Sequence, residues 1–95
     1  MKVRLREGAR RDLREILNYS VAQHGEAVAE SYLREIDEAF ARLADYPKIG
    51  IARPDLGENL RCLRVREHLM FYEVSPDRVS VLRVLHKAMD VERHL

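Results

Sequence analysis

The chain has 95 residues, a net charge of +1, one cysteine and no tryptophan. That length supports a single hydrophobic core, so residues 1–95 read as one domain, with no room for a nucleotide-binding fold beside another unit. The near-neutral balance argues against a large unopposed basic face for general nucleic-acid binding, no apolar run reaches membrane-spanning length, and a lone Cys62 excludes an internal disulfide. The N-terminus lacks the pattern of a secretory signal and the single thiol suits a reducing compartment, so a cytoplasmic location is expected.

Charge is unevenly spread. Lys2, Arg4, Arg6, Arg10, Arg11 and Arg14 crowd the start, whereas Glu26, Glu30, Glu35, Asp37, Glu38 and Asp45 crowd a later stretch. If the two segments are neighbours, their rims are expected to neutralise one another.

Met1–Arg6 alternates, with Val3 and Leu5 opposed by Lys2, Arg4 and Arg6, which predicts a short strand with one buried face. Glu7-Gly8 reads as the break after it. From about Ala9 the apolar period becomes helical through Leu13, Ile16, Leu17 and Ser20, ending near His24-Gly25. A second helix follows at once, with Ala29, Leu33, Ile36, Phe40 and Leu43 as its packing seam and Val28, Tyr32 and Ala39 widening it. It must end before Pro47, because the residue ahead of a proline disfavours helical geometry.

Tyr46–Asn59 holds two prolines and two glycines and reads as a structured loop. Three strands are predicted after it: Leu60–Glu67, mixed enough to suit a sheet edge, then Leu69–Val74, then Val79–His86. The last two are apolar on both parities, as interior strands are. Ser75-Pro-Asp-Arg78 is the turn between them. The order is β-α-α-β-β-β, an α+β fold with a helical hairpin on a small, mainly antiparallel sheet. The last strand is covered on both sides, so the first strand is expected along its free edge, giving the spatial order 2-3-4-1 in the numbering of these four strands.

The chemistry is sparse. His24, His68, His86 and His94 have no metal-ligand spacing, no glycine-rich loop opens a helix, and Cys62 sits within a strand as a small core side chain. No cofactor or metal is expected. Arg83 is the anomaly, a guanidinium in an apolar strand that needs a partner or an edge. Arg61, Arg64, Arg66, Tyr72, Arg83 and His86 could share one sheet face, where they would stabilise phosphate charge and move protons in RNA cleavage. The alternative is an arginine-rich edge over hydrogen-bonded core residues.

The chain resembles the ParE-type toxins of the RelE/ParE superfamily. The likeness rests on Ala9-x-x-Asp12-Leu-x-x-Ile16, Leu43-x-x-Tyr46-Pro-x-x-Gly50, Arg53-Pro-Asp-Leu56, Leu60-Arg61, Phe71-Tyr72 and Arg83-Val-Leu-His86-x-x-x-Asp90, in that order over nearly the full length. The resemblance implies the toxin of a type II toxin–antitoxin module that inhibits DNA gyrase and blocks replication. It also implies neutralisation by a ParD-like antitoxin within a hetero-oligomer. The ribosome-dependent RNases of the superfamily rely on a tyrosine near the C-terminus, and no tyrosine follows Tyr72 here. A messenger-RNA interferase is therefore the second reading, and a non-toxic antitoxin-binding relic the third. No catalytic residue, and no direct nucleic-acid contact, is expected. An apolar helix of the antitoxin is expected against the first helix at Leu13 and Leu17, and its acidic tail against Arg61, Arg64 and Arg66. Contact with gyrase is expected near Arg83, His86, Lys87 and Asp90. The competing expectation is that Arg83 and Asp90 pair to fix the C-terminal tail.

Overall fold

A computed structural model describes residues 1–95 and runs β1 (Lys2–Leu5), α1 (Glu7–His24), α2 (Glu26–Asp45), β2 (Ile51–Ala52), β3 (Leu60–Val65), β4 (His68–Val74), β5 (Arg78–His86) and a 3-10 turn at Val91–Arg93. The sheet order is β1-β5-β4-β3-β2, with β1 parallel to β5 and every other pairing antiparallel. The four expected strands thus fall in the expected order. Neither helix is long and apolar enough to cross a membrane.

Three expectations need correction. The sheet has a fifth strand, because Ile51 and Ala52 in the structured loop pair with Cys62 and Arg61, so β3 is not the edge. Two residues carry no readable period. Secondly, α1 begins at Glu7 and not at about Ala9, so Glu7-Gly8, which follows the end of β1, is already its first turn. Glu7 places an acid at the positive end of the helix. A Cβ on Gly8 would lie 2.8 Å from Arg83 Cδ and 3.2 Å from the Leu82 carbonyl, so glycine there lets α1 settle onto β5. Thirdly, no ion pair joins the basic start to the acidic second helix. Arg14 meets Glu7 within α1, and Glu35 is taken by Arg66 from the turn after β3.

A single residue, Gly25, connects the helices. It adopts φ +88, a region that favours glycine, donates its N–H to Val21 O and accepts from Ala29 N–H. The buried line of α2 is Ala29, Tyr32, Ile36, Ala39 and Leu43. Leu33 is 40% exposed and Phe40 only partly buried, so the helix is rotated from its expected seam. The cause is the sheet: Tyr32 and Ala39 face it, which turns Leu33 outward.

The core lies between hairpin and sheet, where Ala9, Tyr32, Ile36, Ala39 and Leu43 meet Val65, Met70, Tyr72, Val79, Val81 and Val84. Phe71 and Leu85 are also buried, on the other parity of β4 and β5. A bulge interrupts the β4–β5 ladder: Tyr72 pairs with Val81 and Phe71 with Arg83, leaving Leu82 extra. The inward residues of β5 therefore switch from Val79 and Val81 to Val84.

Candidate functional site

Leu17 and Val21 of α1 face Ala29 and Leu33 of α2 across a shallow groove of about 300 Å³. Glu26 and Glu30 line it as well. Val21 and Leu33 are exposed leucine-sized or smaller aliphatics without an intramolecular partner layer, and Leu17 is half-buried beside them. Leu13, grouped with Leu17 from the sequence, packs instead against the core. One turn of helix separates a residue turned inward from one turned to the groove.

The arginines of β3 and the turn after it do not form one cationic face. Arg61 is half-buried and donates from Nη1 to Gly50 O at 2.8 Å and Lys48 O at 3.2 Å, bracing the loop. Arg64 is exposed, donates from Nε to Arg66 O at 2.7 Å, and lies 4.0 Å from Glu67. Arg66 stands in the turn after β3 at φ 51 and folds back over the Tyr32 ring, 5.2 Å from its centroid, to pair with Glu35. Arg61 is opposite Tyr72 in register and Arg64 opposite Leu69, so the two occupy opposite sheet faces.

The expected RNA-cleaving group is likewise dispersed. Tyr72 is fully buried, and its hydroxyl accepts from Gly50 N–H at 2.9 Å; burial pushes its pKa up. Arg61 is spent on loop carbonyls, Arg83 on a carboxylate of α1, and His86 ends β5 beside His68. Burial also raises the Cys62 thiol, which suits a packing role.

At the end of β5, Arg83 donates from Nε and Nη2 to both Asp12 oxygens, at 2.7 and 2.9 Å. Asp12 Oδ2 also accepts from Val84 N–H at 2.9 Å, past the point where β1 has stopped flanking β5. The third arginine donor, Nη1, reaches His94 O at 2.8 Å. The Asp12 hydrogen bonds raise the Arg83 pKa further, against the effect of burial. Arg83 thus has the partner its setting demands, but the partner is Asp12 and not Asp90. Asp90 instead accepts from Glu92 N–H at 3.2 Å, capping the 3-10 turn. Exposed His86 accepts at Nδ1 from Ala88 N–H, and Lys87 pairs with Glu67 at 2.8 Å, holding that carboxyl low.

Sequence reading missed one cluster. Tyr32 Oη donates to Val65 O at 3.0 Å and sits 2.5 Å from His68 Nδ1. His86 stands edge-on to His68, with ring centroids 5.4 Å apart. Burial, then His86, lowers the His68 pKa, while burial raises that of Tyr32 to about 12. Nothing in the spacing of these residues advertised the cluster; the cross-strand pairing of His68 with His86 creates it.

A family model described as the ParE toxin of the type II toxin–antitoxin system parDE matches residues 3–91. The chain is 38% identical over 92 residues to toxin ParE1 of Mycobacterium tuberculosis, covering 96% of this chain and 94% of that one. It is also 38% identical over 96 residues to toxin ParE1 of Caulobacter vibrioides, covering 97% and 95%. Its fold matches a structure titled as a chromosomal ParDE system from P. aeruginosa, with TM-score 0.77, 22% identity, and coverage of 90% and 95%. A conserved hypothetical protein of Helicobacter pylori shares the fold at TM-score 0.50 and 16% identity, over 93% and 96% of the two chains.

Proposed function

The chain belongs to the ParE toxin family of type II toxin–antitoxin systems, and on that premise we propose that it inhibits DNA gyrase and is held inactive by a ParD-like antitoxin. The observation that carries the antitoxin half is the exposed aliphatic groove of the hairpin, with Leu17, Val21 and Leu33 turned outward. An isolated toxin leaves this stripe in water; an amphipathic helix laid along it would remove it. Arg64 lies free enough to meet an acidic extension of the same antitoxin. The complex is a hetero-oligomer in the cytoplasm.

The gyrase half is supported by family membership and by the exposed end of β5, where His86, Lys87 and Asp90 present mixed charge on a short turn. Arg83 belongs to this surface as its anchor, since its donors are committed within the molecule. RNA cleavage draws little support from the side chains proposed for it, because Tyr72 is buried and Arg61 and Arg83 are spoken for.

Supercoiling by purified gyrase, measured with and without the chain, tests this directly, with message integrity on translating ribosomes as the parallel channel. Loss of supercoiling with intact message is expected. Normal supercoiling with cut message overturns the proposal in favour of an interferase, and silence in both channels in favour of a non-toxic antitoxin-binding protein.

A further inference from the structure

One hydrogen bond ties the segment after Lys87 to the rest of the molecule. Ala88 and Met89 N–H donate back to His86, Glu92 and Arg93 N–H to Asp90, and His94 and Leu95 N–H to Val91 O. The ion pair of Arg93 with Asp90, at 3.7 Å, is equally local. The exception is Arg83 Nη1 donating to His94 O at 2.8 Å. Apart from half-buried Val91, the side chains of residues 88–95 are exposed, so packing adds little. Whether the tail has one position therefore depends on where Arg83 points.

A free arginine samples many rotamers, and its fork becomes directional only when two donors are fixed. Asp12 fixes them. Its side chain is 9% exposed and sits on α1; its Oδ2 is already fastened to the Val84 amide, so it cannot swing away. The missing side chain at Gly8 lets the arginine stem lie flat against the helix. With Nε and Nη2 held, Nη1 is left facing the tail.

We propose that Asp12 is a positioning residue for target recognition: through Arg83 it docks the Val91–Arg93 turn and so fixes the turn that presents His86, Lys87 and Asp90. This rests on the reading that the end of β5 contacts gyrase. Asp12 itself touches no target. It removes disorder before binding, and ordering that would otherwise occur on binding weakens an inhibitor.

The test uses Asp12→Asn, which keeps the shape but loses the charge and one acceptor. It also uses Arg83→Lys, which keeps a cation opposite Asp12 but cannot reach it and His94 O together. In both, backbone order parameters at residues 91–95 should fall from about 0.85 to below about 0.6. Antitoxin affinity should stay within roughly twofold, and gyrase inhibition should weaken roughly tenfold. Should Asp12→Asn fail to fold, Arg83→Lys carries the test alone. An unchanged, ordered tail in the folded variants overturns the proposal. A loosened tail with full inhibition overturns the positioning role while leaving gyrase as the target. If the parent chain does not inhibit gyrase, the functional reading fails, and the order parameters still decide whether Asp12 holds the tail.

Discussion

Gly50 and Tyr72 are fitted to each other across the loop and the sheet. The Tyr72 hydroxyl accepts the Gly50 amide at 2.9 Å, and a Cβ on residue 50 would lie 2.6 Å from that oxygen and 2.7 Å from Cys62 O. Two changes should therefore fail for different reasons. Tyr72→Phe leaves a buried N–H unpaired, at a cost of about 1–3 kcal/mol. Gly50→Ala forces the loop off β3, with a cost of about 1–3 kcal/mol or more from overpacking. Urea midpoints read both; a midpoint unmoved by Gly50→Ala would show that the loop gives way freely.

The hairpin groove carries the prediction about neutralisation. Leu17→Glu and Leu33→Glu should each weaken antitoxin binding at least about tenfold, as removal of a central apolar anchor does. Leu33→Glu should leave folding stability within about 0.5 kcal/mol, because Leu33 already faces water. Calorimetric titration with the antitoxin, beside a thermal melt, separates the effects. Full affinity for both variants would move the antitoxin elsewhere.

Among the arginines of β3 and its following turn only Arg64 is expected to act mainly through association. Arg64→Glu should slow antitoxin binding and flatten its salt dependence with little change in stability. Arg66→Glu should instead lower stability, by up to about 1 kcal/mol, because it places an acid against Glu35 and removes the cation from the Tyr32 ring. Stopped-flow association at two salt concentrations, with denaturation curves, distinguishes them. Identical behaviour of the two variants would contradict the geometry.

Much of the architecture was legible because it rests on long periodic signals. Val79–Leu85 and Leu69–Tyr72 are apolar on both parities, and that alone placed them inside the sheet with β1 beside β5. The rest depends on what meets what. The rotation of α2 that exposes Leu33 follows from Tyr32 and Ala39 facing the sheet, and the β2 strand is too short to show a period. The bulge at Leu82 inverts the parity on which a strand reading depends. Arg83 announced that it needed a partner, yet Asp12 is 71 residues away and no spacing rule links them. Asp90 is closer in sequence but caps the 3-10 turn instead.

His68 and Tyr32 are two of the groups that make stability depend on pH; Tyr72 and Cys62, also raised by burial, share the alkaline limb, and Glu67, held low by Lys87, shares the acid one. Folding lowers the His68 pKa, so the unfolded chain takes up the proton first. Stability is complete above the ordinary histidine value of about 6.5 and declines as pH falls below it. Tyr32 runs the other way at the alkaline end. Its folded pKa of about 12 lies above the ordinary tyrosine value of about 10, so its contribution to stability is complete below pH 10 and is lost as pH rises toward 12. Melting temperatures from acid to alkaline pH should fall at both ends. His68→Gln should flatten the acid limb and Tyr32→Phe the alkaline one, and limbs unchanged in these variants would assign the titration to other groups.

The parallel pairing of β1 with β5 has a consequence for how the toxin is made. Residues 2–5 have no strand partner until residues 78–81 exist, so the first strand waits for nearly the whole chain to pair. Before then a ribosome carries a helical hairpin over an open sheet, a state dominated by sequence-distant contacts not yet formed. Premature termination before β5 therefore yields no partial toxin, only a chain exposed to proteolysis. Poison and full-length translation are coupled by topology.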